Sequence, residues 1–395
     1  MAVTLTLKKG REAATLRRHP WLFSGSVAAS SGTPDGTVEA RSHDGRFLAR
    51  GLSSPRSPIV ARFLTFEDRP LDAALFDARV ADALALRARV VPPETDGYRV
   101  IHAEGDGLPG LVVDKYGAVL VVQATTEGTE RFRELWLPAL LARLEPACVL
   151  QKNDLASRAG EGLPTSDELL HGAAVPLLAP FTERGLSLVA ELAGGQKTGF
   201  FLDQRENRAL VRELAGGRSV LNLFSYSGAF GVAALAGGAV RVTHVDASRE
   251  ALALARENHE RNGQDLSRVS FVQADVFTDL RTRAAAGETW DVVVADPPAF
   301  AKRTSDVERA CRGYKDVNRL ALSLLAPGGL LLACSCSGPV DPALFQKVLF
   351  AAALDARVPA RLLAKRGAGP DHPVSLDCPE GEYLKAFLLE RAGAP

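Results

Sequence analysis

The chain has few cysteines, no net charge and no unbroken apolar segment of membrane-spanning length. Its five cysteines include no Cys-x-x-Cys pair, which argues against a disulfide framework and against a zinc knuckle. The longest apolar run, residues 320–340, is broken by Pro327, Gly328 and Gly329 into a predicted helix, turn and strand, so no membrane span is predicted. The N-terminus lacks an apolar leader with a small-residue cleavage site, and we therefore expect a cytoplasmic protein. At 395 residues, about two or three domains are expected.

Charge is balanced over the whole chain but not along it. Residues 1–70 carry 11 Lys and Arg residues against 6 Asp and Glu residues, a net charge of +5, and the remainder has a net charge of −5. A basic segment of this kind is expected to contact phosphates, although a solvated surface would have the same composition. Its densest part is Lys8, Lys9, Arg11, Arg17 and Arg18.

Hydrophobic patterning divides the chain into three predicted domains. Short strand-like runs separated by turns fill residues 1–70 and predict a small β-rich domain. Residues 71–185 combine helical and strand-like runs and predict a central α+β domain. In residues 186–395, near-continuous apolar strands alternate with amphipathic helices from residue 219 onward. This alternation predicts a parallel sheet covered on both faces, with ligands bound at the carboxyl ends of the strands.

Three successive strand ends carry the pattern of a nucleoside-binding site. The first ends in residues 224–231, FSYSGAFG, where Gly228 lets the backbone approach a ligand but no GxGxxG dinucleotide motif is present. Asp246 ends the second strand and is placed to bind both ribose hydroxyls, and Asp275 follows the third near an adenine amino group. Either acid alone would more often be a helix N-cap. The predicted cofactor-binding residues are Phe224, Tyr226, Ser227, Gly228, Ala229, Asp246, Ala247, Ser248, Asp275, Val276 and Asp296.

The fourth strand ends in residues 296–300, DPPAF, where two prolines stiffen a loop at the strand end. An acid followed by two prolines and an aromatic residue resembles motif IV of S-adenosylmethionine-dependent methyltransferases. The three preceding strand ends resemble motifs I to III of the same class. S-adenosylmethionine is therefore the expected cofactor.

Further segments resemble a narrower family, the bacterial large-subunit ribosomal RNA methyltransferases that make 5-methylcytosine and carry an N-terminal PUA domain. The resemblance covers nearly the whole chain, and residues 195–207 are its most distinctive part. The matching segments are 18–23 (RHPWLF), 102–114 (HAEGDGLPGLVVD), 152–154 (KND), 195–207 (GQKTGFFLDQREN), 296–302 (DPPAFAK), Tyr314 with Lys315 and Asn318, 334–338 (CSCSG), His372 with Pro373, and 383–385 (YLK).

This resemblance implies a PUA domain at residues 1–70, an RNA-contacting central domain and a Rossmann-like catalytic domain with a seven-stranded, mostly parallel sheet. It implies that Gln204 and Arg205 lie beside the cofactor and that large-subunit ribosomal RNA is the partner. The chain is less basic than such enzymes usually are, which leaves naked RNA and a partly assembled subunit both open as substrates. A homodimer is also open, because the strand-like residues 383–389 could pair at a sheet edge.

Carbon 5 of cytosine becomes nucleophilic only after a thiolate adds to C6, so this chemistry needs a cysteine near the cleft and an acid near N3. Cys336 lies just past the fifth strand and is the predicted nucleophile, with Asp296 bonding N3 and the exocyclic amine. Cys334 lies one pleat deeper and is an alternative nucleophile, although that position favours packing. Cys148, Cys311 and Cys378 are interpreted as structural.

Several residues are predicted to contact RNA. Phe300 is expected to stack on a flipped base, with a role as a loop anchor equally open. Lys315 and Tyr314 follow on the next helix, near enough to touch RNA. The histidines His102, His244 and His372 show no metal-binding spacing, and no metal is expected. The predicted substrate-binding residues are Lys197, Phe300, Lys302, Lys315, Arg17 and Arg18.

Two other functions remain open. An enzyme with the same cofactor could methylate an exocyclic base nitrogen, for which loops such as residues 296–300 are typical and no cysteine is needed. A non-catalytic RNA-binding assembly factor could retain the fold. Cys336 favours carbon methylation over the first alternative, and the presence of Gly228, Asp246, Asp275 and Asp296 argues against the second.

Overall fold

The computed structural model describes residues 2–33, 35–192 and 198–393. The chain forms two compact units, each of which is discontinuous in sequence. The first contains Met1–Thr182, Ala190–Phe200 and Pro370–Gly381, and the second contains Glu183–Val189, Phe201–Gly369 and Glu382–Pro395. The domain boundaries at residues 70 and 185 stay predictions. Within the described ranges, no helix combines the length and apolarity needed to cross a membrane.

The first unit begins with a six-stranded sheet that matches the predicted β-rich domain. Buried residues alternate along its strands, as Val38 and Ala40 show, because one face covers an apolar core. The strands are Val3–Leu7 (β1), Trp21–Phe23 (β2), Val27–Ser31 (β3), Thr37–Arg41 (β4), Phe47–Ser53 (β5) and Ile59–Thr65 (β6), with a short helix, Ala13–Leu16 (α1), after β1. Their order across the sheet is β2-β6-β5-β4-β1-β3.

A five-stranded sheet and four helices complete the first unit. Its longest helix, Ala73–Val90 (α2), is capped by Asp72, whose side chain accepts the Leu75 N–H, and packs Phe76 and Val80 into the core. The other elements are Gly97–His102 (β7), Leu111–Tyr116 (β8), Val119–Ala124 (β9), Glu127–Arg131 (α3), Arg133–Leu144 (α4), Cys148–Gln151 (β10), Ala156–Glu161 (α5) and Glu168–His171 (β11), with sheet order β11-β10-β9-β8-β7. Two further strands, Leu178–Glu183 (β12) and Leu186–Glu191 (β13), follow in the chain.

The second unit contains the predicted α/β domain. Five strands are parallel, and the last strand in the chain runs antiparallel to both of its neighbours. The elements are Arg205–Leu214 (α6), Ser219–Leu223 (β14), Ala229–Ala236 (α7), Arg241–Asp246 (β15), Arg249–Arg261 (α8), Val269–Gln273 (β16), Val276–Ala285 (α9), Trp290–Ala295 (β17), Val307–Ser323 (α10), Leu325–Ser335 (β18), Pro342–Ala356 (α11), Ala360–Arg366 (β19) and Lys385–Arg391 (β20). The sheet order, β16-β15-β14-β17-β18-β20-β19, confirms a seven-stranded, mostly parallel sheet.

Apolar cores cover this sheet on both faces. Every residue of β14 is buried, which explains why its sequence is nearly continuously apolar. One core includes Leu221, Val293 and Leu331 of the sheet, and the opposite core includes Val220 and Val292. Because the faces are closed, ligands can approach only at the ends of the strands.

Two predictions about the end of this sheet are wrong. Residues 327–329 were expected to form a turn, but they lie within β18. The pairing of β18 with β17 jumps from Trp290↔Leu325 to Val292↔Leu330, and this irregularity accommodates the proline and glycines. The C-terminal strand was expected at a sheet edge, but β20 lies between β18 and β19. Both of its sides are paired, so it cannot pair with a second copy.

Candidate active site

The loop after β14 has the backbone shape of a ligand cradle. Phe224 and Tyr226 have positive φ angles of 53° and 43°, and Gly228 follows at 72° as the N-cap of α7. A Cβ atom at Gly228 would lie 2.6 Å from the Cβ of Ala255 and 3.1 Å from Cε1 of His244. Only glycine fits there, so the loop lies directly against α8.

Replacing Gly228 with alanine is expected to destabilise the protein and to weaken cofactor binding. Gly263→Ala is the matched control, since Gly263 also has a positive φ, of 60°, but has no atom within 4 Å of its Cβ position. We expect Gly228→Ala to cost about 1–3 kcal/mol beyond the control because of crowding. Thermal unfolding of both variants checks this, and equal melting temperatures would contradict it.

Asp246 holds the two loops of this edge together. Its Oδ2 accepts the Tyr226 N–H at 2.8 Å and its Oδ1 accepts the Ser248 N–H at 3.0 Å. The half-buried carboxylate is thereby oriented, and each oxygen keeps further acceptor capacity for ribose hydroxyls. In the same loop, Ser225 Oγ is buried with no hydrogen-bond partner among the described residues. An oriented carboxylate and an unsatisfied hydroxyl fit a polar nucleoside ligand.

The other predicted cofactor residues of these strand ends have structural contacts as well. Asp275 is exposed and is the N-cap of α9, with Oδ1 accepting both the N–H and the hydroxyl of Thr278 at 2.9 Å. Its binding of adenine stays a prediction. Val276 and Ala229 are buried, Ala247 is exposed, and the backbone carbonyl of Ser227 accepts the side-chain N–H of Asn258.

A hydrogen-bonded chain of buried side chains orients Asp296. Gln204, which is 2% exposed, donates its amide to Oδ2 of Asp296 at 2.9 Å. Its own oxygen accepts from Asn207 at 2.6 Å, and Asn207 in turn accepts from Nε of Arg366 at 3.2 Å. The donor direction is therefore set from Arg366 through Asn207 and Gln204 to Oδ2 of Asp296. Arg205 is fully buried next to Gln204, and its Nε lies 3.2 Å from Glu206 Oε1.

Cys336 lies in a serine-flanked segment just past β18 that three elements hold in place. Ser337 Oγ accepts the Ala301 N–H at 3.0 Å and lies 2.8 Å from the hydroxyl of Tyr314. The Ser337 carbonyl accepts from Nζ of Lys385 at 2.7 Å. Cys336 itself is only partly buried, whereas both serines are fully buried. The thiol is thus carried on a fixed segment and remains partly accessible.

The four other cysteines have environments that suppress thiolate formation. Burial raises the pKa values of Cys148 and Cys311, and it raises that of Cys378 to about 12. Cys334 is fully buried in β18, where desolvation and the nearby Asp296 carboxylate raise its pKa well above the usual value. A protonated thiol is a poor nucleophile, so these environments favour structural roles.

The predicted RNA-contacting residues around residue 300 have mixed surroundings. Phe300 is half-buried, with its ring 4.7 Å from that of Tyr314 and 6.3 Å from that of Phe277. It therefore anchors the loop, and base stacking stays a prediction. The proposed contact of Tyr314 with RNA is wrong, because this side chain is fully buried. Lys315 forms an ion pair with Asp355 at 2.9 Å, and Lys302 is exposed.

The predicted phosphate contacts of the first unit lie at its surface. Lys8, Lys9, Arg11, Arg17 and Arg18 are all exposed. Arg18 adopts a positive φ of 67°, and its guanidinium lies 5.4 Å from the centre of the Phe66 ring. Exposure permits RNA contact, which stays a prediction for Arg17 and Arg18. Lys197 lies outside the described residues.

Two buried histidines behind the cofactor loop form a relay whose proton positions are determined. Gln264 donates its amide to the Val232 carbonyl, so its oxygen accepts from Nδ1 of His259 at 2.6 Å. His259 Nε2 is then an acceptor, and Nε2 of His244, 2.8 Å away, is the donor. His244 Nδ1 finally accepts from Asn222 at 3.2 Å. The relay works only with both rings neutral.

Stability is expected to fall as pH drops below about 6.5. Burial lowers the pKa of His259 from 6.5 to about 4, and burial together with the neighbouring His259 lowers that of His244 well below 6.5. Below about pH 6.5 the histidines of the unfolded chain bind protons, whereas the buried histidines of the folded chain stay neutral. The free energy of unfolding therefore decreases as the pH falls from about 6.5 toward the folded-state pKa values. His259→Gln should flatten the melting-temperature profile between pH 5 and 6.5, whereas His171→Gln, at an exposed position, should leave it unchanged. An unchanged slope in His259→Gln would contradict the relay.

His19, Cys378 and Glu380 form a cluster of metal-ligand type in the first unit, with ligand atoms within 4.8 Å of one another. Its hydrogen bonding does not suit a metal. The Trp21 N–H donates to Nδ1 of His19 at 3.1 Å, so the neutral ring carries its proton on Nε2, facing Glu380. The raised pKa of Cys378 also keeps the thiol protonated. We interpret the cluster as a hydrogen-bonded group.

Asn207 and Lys385 are site residues that sequence reasoning did not assign. Asn207 orients the side chain of Gln204 by donating a hydrogen bond to its amide oxygen. The signal in the sequence was their spacing of three residues at the start of a helix, which puts both side chains on one helix face. Lys385 begins the apolar strand KAFLL, and a lysine at the head of a buried strand is a detectable anomaly.

Models of two known protein families match two separate parts of the chain. A model of S-adenosylmethionine-dependent methyltransferases matches residues 164–388, and a model of PUA-like domains matches residues 5–66. The Ribosomal RNA large subunit methyltransferase I of Klebsiella pneumoniae (strain 342) is 44% identical over 387 residues, which cover 97% of each chain. The protein of the same name from Yersinia pseudotuberculosis serotype O:1b (strain IP 31758) is 44% identical over 391 residues, covering 98% of this chain and 99% of the relative.

Solved structures share the fold over the full length. A protein from Streptococcus mutans described as a SAM-dependent methyltransferase superposes with a TM-score of 0.84 at 24% identity, covering 99% of this chain and 100% of its own. Another, described as a methyltransferase complexed with SAH, superposes with a TM-score of 0.86 at 24% identity and the same coverage. At this identity the likeness shows the fold alone.

Proposed function

Because this chain belongs to the family of S-adenosylmethionine-dependent methyltransferases and carries a PUA-like domain, we propose that it methylates carbon 5 of a cytosine in large-subunit ribosomal RNA. The cofactor follows from the family. Its expected binding residues are the loop around Gly228, the oriented carboxylate of Asp246, and the cap residue Asp275. Bound S-adenosylmethionine supplies an electrophilic methyl group.

The observation that carries the carbon-5 proposal is the placement of Cys336. Asp296 and Cys336 follow neighbouring parallel strands, β17 and β18, at the same carboxyl edge of the sheet. The register Ala295↔Ala333 puts Asp296 level with Cys334 and puts Cys336 two residues farther out. Cys334 is fully buried, but Cys336 is partly exposed. The accessible thiol beside the acid is therefore Cys336.

The chain's residues can then perform the steps that carbon methylation needs. The Cys336 thiolate adds to C6 of the base, while the Asp296 carboxyl group donates its proton to N3 and accepts a hydrogen bond from the exocyclic amine, which stabilises the electron-rich adduct. Addition makes C5 nucleophilic toward the methyl group. Once C5 carries the methyl group, the C5 proton is lost to solvent, N3 returns its proton to Asp296, and the Cys336 thiolate leaves C6, which restores the aromatic ring. The Gln204 contact keeps Asp296 oriented throughout.

Large-subunit ribosomal RNA is proposed as the substrate because relatives of the same length carry that name. The exposed basic residues of the first unit support an RNA ligand, since phosphates bind clustered lysine and arginine side chains. We infer that a partly assembled subunit is a better substrate than naked RNA, because the whole chain has no net positive charge.

A tritium-release assay tests this function. Large-subunit RNA and isolated subunits from cells lacking the enzyme are labelled with [5-³H]cytidine and incubated with the protein and S-adenosylmethionine. Carbon-5 methylation releases one tritium for each methyl group transferred. Methyl transfer without tritium release would instead indicate methylation of an exocyclic nitrogen. Absence of both transfer and calorimetric cofactor binding would leave the assembly-factor role.

Arg17→Ala combined with Arg18→Ala is expected to weaken RNA binding about 10-fold at low salt and to reduce the salt dependence by about two phosphate contacts. The reason is the loss of two exposed charges from the basic segment. Lys347→Ala with Arg361→Ala is the control, because both residues are exposed in the second unit. Filter binding across a salt series measures the slopes, and equal slopes in both variants would contradict an RNA contact.

A further inference from the structure

Lys385 is a buried lysine directly beside the cysteine segment. It pairs with Ser335 in the register of β18 and β20 and is only 3% exposed. Its Nζ donates to the Ser337 carbonyl and to the Tyr383 carbonyl, each at 2.7 Å. These bonds hold the ammonium against the backbone of Ser337, the residue that follows Cys336.

Within the described residues, no carboxylate is hydrogen-bonded to this ammonium. Lysines are rarely buried without an opposite charge, since removing the ammonium from water is costly. Both acceptors named above are neutral carbonyls. The ionisable groups that face it are Cys336, Glu382 and Asp341. Of these, Cys336 belongs to the segment that Lys385 itself binds.

We propose that Lys385 is a positioning residue whose ammonium stabilises the Cys336 thiolate and so supplies the nucleophile at neutral pH. This inference rests on the proposed function. The thiol proton leaves to solvent, the sulfur keeps the electron pair, and Lys385 keeps its own proton, so the two groups form an ion pair. The thiolate adds an adjacent negative charge to those of Glu382 and Asp341, which already favour the buried ammonium.

The surroundings of Cys336 agree with a thiolate held by this lysine. Tyr314 and Cys336 interact electrostatically, and the buried Tyr314 has a raised pKa, so its hydroxyl stays protonated beside the sulfur. Desolvation lowers the pKa of Lys385 to about 8, with the Cys336 sulfur opposing that shift. The ion pair therefore exists in the neutral range and is lost at alkaline pH when Lys385 deprotonates.

Alkylation of Cys336 by iodoacetamide, followed by peptide mass spectrometry from pH 6 to 9.5, tests the inference on the full-length protein. Cys311 in the same digest is an internal reference, because it is partly exposed and burial raises its pKa. In the wild type we expect Cys336 to react with a midpoint below about 8.5, the value for an unperturbed thiol. Lys385→Met should raise that midpoint by about one unit and slow methylation at pH 7 about 10-fold, with recovery at higher pH.

Lys385→Arg keeps the charge and should keep the low midpoint. An unchanged midpoint in Lys385→Met would overturn the inference, as would a wild-type midpoint at or above that of an ordinary thiol. If circular dichroism shows that Lys385→Met does not fold, the alkylation midpoints of Cys336 in the wild type and in Lys385→Arg test the inference instead. These measurements need neither RNA nor turnover, so they are separate from a failure of carbon-5 methylation in the tritium assay.

Discussion

Replacing Cys336 with alanine is expected to lower turnover by at least about 1000-fold while leaving S-adenosylmethionine affinity within about 2-fold of the wild type. The loss follows because C5 of cytosine does not attack a methyl group unless a thiolate has first added to C6. Cofactor affinity is retained because the cradle is built from the ends of β14 and β15. Methylation kinetics and calorimetry give the two measurements.

Cys334→Ala is the matched control, since Cys334 lies two residues away in a fully buried site where its thiol stays protonated. It should retain turnover with a modest loss of stability. RNA containing 5-fluorocytidine provides a direct readout, because fluorine cannot leave C5 as a proton does and the adduct persists. Peptide mass spectrometry should find the adduct on Cys336. Full activity of Cys336→Ala would exclude the covalent mechanism.

Asp246→Asn is expected to weaken S-adenosylmethionine binding about 10- to 100-fold, the effect of losing charge-assisted hydrogen bonds. In the wild type both carboxylate oxygens accept backbone N–H groups, from Tyr226 and from Ser248. An asparagine would direct its NH₂ at one of these donors, which disturbs the loop, and it would also lose the charge that we expect to bind the ribose hydroxyls. Calorimetry measures the affinity.

Asp265→Asn is the control for this substitution. Asp265 caps a short 3-10 helix by accepting the Ser267 N–H at 2.9 Å, and asparagine caps equally well. Its cofactor affinity should match that of the wild type. Affinity of Asp246→Asn within about 2-fold of the wild type would show that this carboxylate only organises the loop.

The sequence allowed the placement of Gly228, Asp246 and Asp296 at one edge of the sheet to be predicted, because they follow their strands directly. Gly228, Asp246 and Asp296 each come within a few residues of a buried apolar strand, and parallel strands bring their carboxyl ends to one edge. The same local reasoning could not separate ligand binding from capping. Asp275 bonds Thr278 as a helix cap, which the sequence permits equally well.

The remaining features depend on register between distant segments, which apolar patterning does not encode. The burial of Tyr314 arises because its hydroxyl meets Ser337, 23 residues later. The role of Lys385 depends on its pairing with Ser335, 50 residues earlier, and on β20 entering between two strands that precede it. A strand at the end of the chain is more simply expected at an edge, which explains the error about β20.

The interleaving of β20 links the order of folding to the chemistry. Of the sheet's strands, β19 is made before β20 but has β20 as its neighbour, so it stays unpaired until the later segment inserts. Such long-range pairings form late, because loop-closure entropy opposes them. The same insertion delivers Lys385 to Ser337. If Lys385 stabilises the Cys336 thiolate as proposed, a chain whose sheet is incomplete carries an unassisted thiol, and reactive sulfur is then confined to molecules that have finished folding.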